Sequence, residues 1–331
     1  MNFWKNKNVL ITGADGFIGS HLTEKLAELG ANVRAFVYYN SFGRWGWLDE
    51  TDDNLLKNIE IFSGDIRDSY RVLEAVKGRD YIFHLASLIA IPYSYHATES
   101  YIQTNIQGTL NVLNASRKNN VTRLIHTSTS EVYGTAQYAP IDEKHPLQGQ
   151  SPYSASKIGA DMLAESFYRS FNLPVSIARP FNTYGPRQSA RAIIPTIISQ
   201  LFQNKKELQL GALYPMRDFN FVEDTVSGFL AIGQSESAIG QVINLGSGRE
   251  ISIGDLIQLI FKVTGKEAAI VTVSDRLRPE NSEVNRLLCN AELANKLTGW
   301  KSAYTLEEGL RITADWIQKH PQIFKYSIYN I

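Results

Sequence analysis

The sequence predicts an α/β fold in which a doubly wound parallel sheet is accompanied by a smaller, mixed α/β lobe. Short apolar runs rich in β-branched residues alternate with amphipathic helical segments over the first half of the chain. This alternation loses its regularity after Pro186, which indicates a second structural unit. We expect a dinucleotide-binding domain at residues 1–180 plus 219–246 and a substrate-binding lobe at residues 181–218 plus 247–331.

Composition excludes several classes of protein. The 331 residues are 44% hydrophobic, and 33 basic side chains balance 33 acidic ones, so no general attraction to nucleic acid or to an anionic membrane is expected. No apolar run approaches the ~20 residues of a membrane span. The start of the chain shows no signal-peptide core, and the single cysteine, Cys289, excludes an intrachain disulfide. We therefore expect a cytoplasmic protein, and the scattered histidines predict no metal site.

The first strand, Asn8–Thr12 (NVLIT), leads directly into a glycine motif and a helix that ends at Gly30. A glycine after the strand permits the tight turn, the second lets backbone approach a pyrophosphate, and the third permits close helix–sheet packing. The helix N-terminus offers free N–H groups to phosphate. This context predicts a Rossmann-type dinucleotide site with contacts from Gly13, Gly16, Phe17, Ile18 and Gly19. The G-x-x-G-x-x-G spacing resembles the short-chain dehydrogenase/reductase superfamily.

The end of the second strand should distinguish NAD from NADP. An acid there would bind the ribose 2′-hydroxyl of NAD, whereas an arginine would accept the 2′-phosphate of NADP. The predicted strand Ala31–Val37 ends in Tyr38-Tyr39-Asn40, which supplies neither group. Because no basic residue stands at the strand tip, we predict NAD, and NADP stays open.

Further cofactor contacts are expected where later strands end. Asp65 and Ile66 follow the strand at Ile59–Phe62 and resemble the superfamily's adenine-contacting position. The strand Tyr81–Ala86 (YIFHLA) should exit beneath the nicotinamide half of the cofactor. The remaining predicted cofactor contacts are Leu85, Ala86, Ser87, Ser128, Tyr153 and Lys157.

The catalytic candidates fall between His126 and Lys157. The strand Val121–Ser128 delivers Thr129, Ser130 and Glu131 to the ligand edge of the sheet. If Ser151-Pro152 opens a helix, Tyr153 and Lys157 share one face because they are four residues apart. A neighbouring ammonium favours the phenolate form of tyrosine, so we expect Lys157 to lower the Tyr153 pKa and make it a usable base.

A family resemblance becomes specific when these features are combined with Arg179–Pro186 (RPFNTYGP). The chain resembles the extended short-chain dehydrogenases that act on nucleotide sugars, from residue 8 to about residue 310. In that family 4,6-dehydratases need a carboxyl group over C5 and C6 of the sugar, and those resembling GDP-mannose dehydratase use Thr-Ser-Glu. The same triplet is present here as Thr129-Ser130-Glu131.

The resemblance therefore implies a nucleotide-sugar 4,6-dehydratase. UDP-glucuronate decarboxylases carry a similar T-S-E-V-Y-G and remain an alternative, whereas 4-epimerases usually have a small residue in place of Glu131. A protein that binds a dinucleotide as a sensor, without catalysis, is a further alternative. Such a sensor would not require the Tyr153/Lys157 pair.

Other segments concern the sugar nucleotide. Ser87–Tyr95 contains no Lys or Arg, which favours a neutral sugar over a sugar acid. Asn40–Asp49 and Leu277–Val284 resemble the dehydratases of the legionaminic acid pathway, which implies GDP- or UDP-N-acetylglucosamine as substrate. A nucleotide diphosphate needs cations and hydrogen-bond donors. We predict substrate contacts from Ser87, Asn182, Arg187, Arg217, Arg278 and Glu280.

Residues 99–117 form an amphipathic helical pattern with an apolar stripe. In relatives this helix and the one at 152–171 build a four-helix dimer contact, so the resemblance implies a homodimer.

Overall fold

A computed structural model describes residues 2–324. Its strands are β1 Asn8–Thr12, β2 Asn32–Tyr38, β3 Ile59–Gly64, β4 Tyr81–His84, β5 Arg123–Thr127, β6 Val175–Pro180, β7 Asn182–Tyr184, β8 Glu207–Leu210, β9 Met216–Phe221, β10 Val242–Leu245, β11 Glu250–Ser252 and β12 Ala269–Thr272. Seven of them form one sheet in the order β10-β6-β5-β4-β1-β2-β3, with every pair parallel. The predicted strands of the first domain are present, although β4 ends at His84 rather than Ala86.

The helices are α1 Phe17–Glu28, α2 Asp53–Leu56, α3 Ser69–Val76, α4 Ile91–Ser94, α5 Thr98–Tyr101, α6 Gly108–Lys118, α7 Pro152–Phe171, α8 Ile193–Phe202, α9 Val222–Gln234, α10 Ile253–Thr264, α11 Glu292–Thr298 and α12 Leu306–Lys319. The helical pattern predicted at residues 99–117 is divided, because a π-helical segment at Ile102–Gln107 joins α5 to α6. Short 3-10 turns include Gly46–Glu50 and Ser130–Tyr133. None of the helices within residues 2–324 is long and apolar enough to cross a membrane.

Helices cover both faces of the seven-stranded sheet, as a buried parallel sheet requires. Side chains alternate along a strand, so Val9 and Ile11 of β1 face the layer that contains α1 and α9, whereas Leu10 faces the layer that contains α3, α6 and α7. Phe229 of α9 and Val112 of α6 are fully buried in these two layers. The doubly wound, Rossmann-type fold is therefore confirmed.

The smaller lobe has its own core, formed by apolar side chains of α8, α10 and α12 around Ile198, Ile257 and Leu310. Two small sheets, β11-β9-β7 and β12-β8, lie in this part of the chain. All strands of the large sheet fall within the predicted dinucleotide-binding segments. The last residues of the predicted lobe, 325–331, lie outside the described residues.

Candidate active site

The glycine motif forms a backbone cradle at the end of β1. Gly13 has φ +70°, and a Cβ there would lie 2.8 Å from the Ala86 nitrogen. A Cβ on Gly19 would collide with the Gly13 carbonyl oxygen, so α1 can approach the turn only with glycine at this position. In the part of the chain that the structure describes, no side chain caps the N-terminus of α1 at Gly16. The first amides of α1, at Phe17 and Ile18, therefore face a space that suits a pyrophosphate.

Polar side chains hold the exit of β4 beside this cradle. Thr12 Oγ1 accepts hydrogen bonds from the Leu85 and Ala86 amides, both at 3.2 Å. The Ser87 hydroxyl donates to the Leu85 carbonyl at 3.3 Å. The exit of β4, which is predicted to lie beneath the nicotinamide half of the cofactor, thus runs next to Gly13. A dinucleotide bound across the edge of the sheet needs both segments side by side.

Asn105 was not predicted to belong to the site. Its Oδ1 accepts from the Leu88 amide at 2.8 Å, and its Nδ2 donates to the Leu88 carbonyl and to Ser156 Oγ, both at 2.9 Å. It lies in the π-helical segment, and such segments often occur at functional sites. The available signal in the sequence was an amide side chain within the amphipathic helical pattern of residues 99–117.

Asp65, the predicted adenine contact, is held in place by its neighbour Arg67. Arg67 Nε lies 2.9 Å from Asp65 Oδ1 and Nη2 lies 2.5 Å from Oδ2, and these bonds lower the pKa of the Asp65 carboxyl. Ile66 is buried, and its carbonyl accepts a hydrogen bond from Asn111 at 3.0 Å.

Tyr153 and Lys157 both lie buried on the same side of α7, as predicted. The helix begins at Pro152, and Ser151 caps it by accepting a hydrogen bond from the Ser154 amide. Lys157 Nζ donates to the Thr127 carbonyl at the end of β5 at 2.5 Å. Burial lowers the pKa of the Lys157 ammonium to about 8.

The Tyr153 pKa differs from the prediction. Burial raises the pKa of the phenol, a side-chain hydrogen bond with Thr129 lowers it, and the charge of Glu131 raises it, with a raised pKa as the net result. The lowering expected from Lys157 is not seen, because burial dominates the pKa of Tyr153 and the Lys157 ammonium is bonded to the Thr127 carbonyl.

A buried polar network lies behind these two side chains. Asp161, which has no exposed surface, accepts hydrogen bonds from Ser128 Oγ at 2.6 Å and from Arg179 Nη2 at 2.9 Å. His126 Nε2 lies 3.2 Å from the second oxygen of Asp161. Ser128, predicted as a cofactor contact, is therefore bonded to the protein interior, and the network fixes the ends of β5 and β6.

Glu131 stands in the 3-10 turn that follows β5. Thr129 begins the turn by accepting a hydrogen bond from the Glu131 amide at 3.2 Å, and Ser130 between them is buried. Among residues 2–324, no donor forms a hydrogen bond with the half-buried Glu131 carboxylate. Burial lowers the pKa of Arg217, and the Glu131 charge opposes this lowering. The same charge adds to the rise in the Tyr153 pKa that burial causes. The carboxylate is thus close to the base candidate and uncommitted to the protein.

Two of the predicted arginines meet at one carboxylate of the smaller lobe. Arg217 Nη2 lies 3.1 Å from Glu283 Oε1, and Arg278 Nη1 lies 3.6 Å from the same oxygen. Arg278 Nη1 is buried and has no hydrogen-bond partner within residues 2–324. Two guanidinium groups that share one carboxylate leave positive charge available for a diphosphate. Glu283 was missed in the sequence because nothing in its local pattern distinguishes it from a surface acid.

Among the described residues, the other predicted substrate contacts form no hydrogen bond with the Glu283 carboxylate, and each lies in a different environment. Asn182 Nδ2 donates to the Asp218 carbonyl at 3.4 Å, and Glu280 is exposed. Arg187 forms two 2.9 Å hydrogen bonds with the Glu24 carboxylate and one of 3.1 Å with Ser20, both on α1. Arg187 therefore joins the second part of the chain to α1, and this placement gives no support to a diphosphate contact.

The glycine cradle, the uncapped helix N-terminus and the adjoining β4 exit fit a nicotinamide dinucleotide. Together with the strand order and the Tyr–Lys pair beside Thr129, this arrangement defines a short-chain dehydrogenase/reductase-type protein. Within that class the chain belongs to the GDP-mannose 4,6-dehydratase family, whose model matches residues 10–313.

Individual relatives agree with this family. The mouse dTDP-D-glucose 4,6-dehydratase is 31% identical over 95% of this chain and 89% of its own length. The Streptomyces venezuelae dTDP-glucose 4,6-dehydratase, solved with NAD bound, has a TM-score of 0.87 at 26% identity and covers 96% of this chain and 98% of its own. A UDP-N-acetylglucosamine 4-epimerase from Methanobrevibacter ruminantium has a TM-score of 0.86 at 28% identity and covers 96% and 99%. The predicted cofactor, NAD, agrees with the NAD bound in the S. venezuelae enzyme.

Proposed function

We propose that this protein is an NAD-dependent nucleotide-sugar 4,6-dehydratase, which converts an NDP-hexose to the 4-keto-6-deoxy sugar. The observation that supports this reaction is the carboxylate of Glu131, which lies close to Tyr153 without a hydrogen bond to any described donor. Elimination of water requires such a group to move a proton, whereas simple inversion at C4 does not.

Tyr153 takes the proton of the C4 hydroxyl, and Thr129 hydrogen-bonds the same oxygen. The glycine cradle at Gly13 and Gly16 would hold NAD, which would supply a hydride acceptor for C4 and the hydride donor for C6. Lys157 supplies positive charge near the nicotinamide ribose. The bond between Lys157 and the Thr127 carbonyl fixes the ammonium at the end of β5, next to the strand that delivers Thr129.

The resulting C4 ketone acidifies the C5 proton, which Glu131 removes. The C6 hydroxyl leaves as water, and Glu131 or Ser130 relays the proton that it needs. Hydride return to C6 requires that one proton be added at C5. This proton balances the one that Tyr153 took from the C4 hydroxyl. The sum is loss of one water with no net oxidation.

We propose GDP- or UDP-N-acetylglucosamine as the substrate. Arg217 and Arg278 supply positive charge for the diphosphate, and Asn182 supplies a donor. The absence of Lys and Arg from Ser87–Tyr95 supports a neutral sugar ring. The resemblance of Asn40–Asp49 and Leu277–Val284 to the legionaminic acid pathway dehydratases supports N-acetylglucosamine.

We also propose a cytoplasmic homodimer. Met162 of α7 is 44% exposed and Ile102, at the start of the π-helical segment, is 51% exposed, although both belong to the packed helices of one sheet face. Burial of these side chains against a second copy would remove apolar surface from water.

The test is incubation of the purified protein with GDP-, UDP- and dTDP-hexoses, including UDP-glucuronate, followed by mass spectrometry. We expect loss of one water from an N-acetylglucosamine nucleotide. Isomerisation without mass change would establish a 4-epimerase, as in one of the structural relatives. Release of CO₂ from UDP-glucuronate would establish a decarboxylase.

A further inference from the structure

The tip of β2 lacks the acid that usually binds the adenosine ribose. A carboxylate at this place accepts a hydrogen bond from the 2′-hydroxyl of NAD and disfavours the 2′-phosphate of NADP. The chain has Tyr38, Tyr39 and Asn40 here, and none of them is acidic. A preference for NAD therefore needs a negative charge from another element.

Asp15 brings a carboxylate to this position from within the glycine motif. Its Oδ2 accepts a hydrogen bond from the Tyr38 amide at 3.1 Å, so the side chain lies against the tip of β2. Asp15 is half-buried. Because Asp15 directly precedes Gly16, its carboxylate lies between the pyrophosphate cradle and the strand end where the adenosine ribose is bound in this fold.

The loop that follows β2 holds Asp15 in place. The Asp15 carbonyl accepts a hydrogen bond from the Trp47 amide at 3.0 Å, and Gly46, with φ +60°, packs so closely that a Cβ would collide with the same carbonyl. Asn40 orders the start of this loop, because its Oδ1 accepts from the Phe42 and Arg44 amides at 3.1 and 3.3 Å. The position of Asp15 is thus fixed from two sides.

Two of the cations near the β2 tip are paired with other carboxylates, and a third, Arg71, donates to the Ser63 carbonyl at 2.7 Å. Arg67 is bonded to Asp65, and Arg44 lies 3.7 Å from Asp49. A 2′-phosphate bound here would face the Asp15 charge, while both arginines already have acidic partners. Like charges placed together at a binding site weaken binding strongly.

We propose that Asp15 is the residue that selects NAD over NADP in this protein. Its Oδ2 binds the Tyr38 amide, its other oxygen accepts a hydrogen bond from the adenosine 2′-hydroxyl, and its charge repels a 2′-phosphate. The proposal rests on the assigned cofactor class but not on the sugar chemistry, because cofactor binding is measured without substrate.

The experiment measures the dissociation constants of NAD and NADP by calorimetry on the full chain after removal of bound cofactor. The wild type should prefer NAD. Asp15→Asn keeps the acceptor for the Tyr38 amide but removes the charge, and it should lower the ratio of the NADP constant to the NAD constant by about tenfold or more. Asp53→Asn, an exposed change of the same charge on α2, should leave the ratio unchanged.

Asp15→Glu keeps the charge and should keep the preference. If Asp15→Asn does not fold, Asp15→Ser provides a smaller acceptor, and the same fall in the ratio is expected. An unchanged ratio in the folded neutral variant, or equal binding of both cofactors by the wild type, would overturn the proposal. The outcome is separate from the dehydratase proposal, since either result is possible with any sugar substrate.

Discussion

Glu131→Gln is the substitution that most directly tests the proposed elimination. Glutamine has nearly the shape of glutamate but cannot take the C5 proton or deliver it to the leaving hydroxyl. Within the described part of the chain no donor is bonded to the Glu131 carboxylate, so the substitution leaves no buried partner unpaired. Arg217 loses one nearby negative charge but keeps its 3.1 Å contact with Glu283.

The expected effect on turnover is large and the effect on stability is small. A positioned acid–base group contributes about 10²–10⁴-fold to the rate, which corresponds to about 3–5 kcal/mol of transition-state stabilisation. A substitution that breaks no packing or buried hydrogen bond changes the free energy of unfolding by about 0.5 kcal/mol or less. The loss of rate should therefore appear in a folded protein with an unchanged melting temperature.

The assay separates C4 oxidation from water loss. In a single turnover, absorbance of the reduced nicotinamide should appear in the Glu131→Gln variant and persist, while mass spectrometry shows no dehydrated product. Glu267→Gln, an exposed substitution of the same type in the smaller lobe, should behave as the wild type. Water loss by Glu131→Gln within about tenfold of the wild-type rate would refute the role of this carboxylate.

Three further predictions concern Tyr153, Lys157 and the subunit contact. Tyr153→Phe should abolish turnover while calorimetry shows NAD binding close to that of the wild type; turnover in this variant would remove Tyr153 as the base. The Lys157 pKa of about 8 lies below its ordinary value of 10.5. Activity should therefore fall as pH rises through about 8. The free energy of unfolding should instead rise from pH 8 towards 10.5, because in this range the unfolded chain binds more protons than the folded one. Denaturation of the Lys157→Met variant should show no such rise. Met162→Glu should convert a dimer to monomers in sedimentation velocity, and Glu267→Gln should not.

Local sequence patterns were sufficient to predict the parallel sheet and the placement of Tyr153 and Lys157 on one side of a helix. The strands of the sheet are short apolar runs, and Gly13, Gly16 and Gly19 are set by backbone geometry within one turn. Tyr153 and Lys157 share a face because the helical repeat places them there. All of these features depend on residues close to one another in the chain.

Features that depend on tertiary packing could not be predicted in the same way. Arg187 and Arg217 are both arginines that follow the family motif, yet one is bonded to Glu24 on α1 and the other to Glu283 in the smaller lobe. Asn105 is hydrogen-bonded to Leu88 and Ser156, which are distant in sequence. The pKa of Tyr153 depends on burial, which a motif does not report.

The structure also couples the two proposed steps of the reaction. The Glu131 charge raises the pKa of Tyr153, and this opposes the phenolate that C4 oxidation needs. A carboxyl group placed to reach C5 and C6 cannot be far from the base at C4, so a dehydratase must tolerate this repulsion. A 4-epimerase without the carboxyl group has no such conflict.

The direction in which the Glu131 charge shifts the pKa of Tyr153 can be measured. Removal of the Glu131 charge should lower the pKa of Tyr153, so the pH dependence of C4 oxidation in single turnovers should shift towards lower pH in Glu131→Gln even though water loss is blocked. Glu267→Gln should leave that profile in place. If the profile of Glu131→Gln is unchanged or moves to higher pH, the two side chains do not interact during the reaction, and the carboxylate of residue 131 must act away from the site of oxidation.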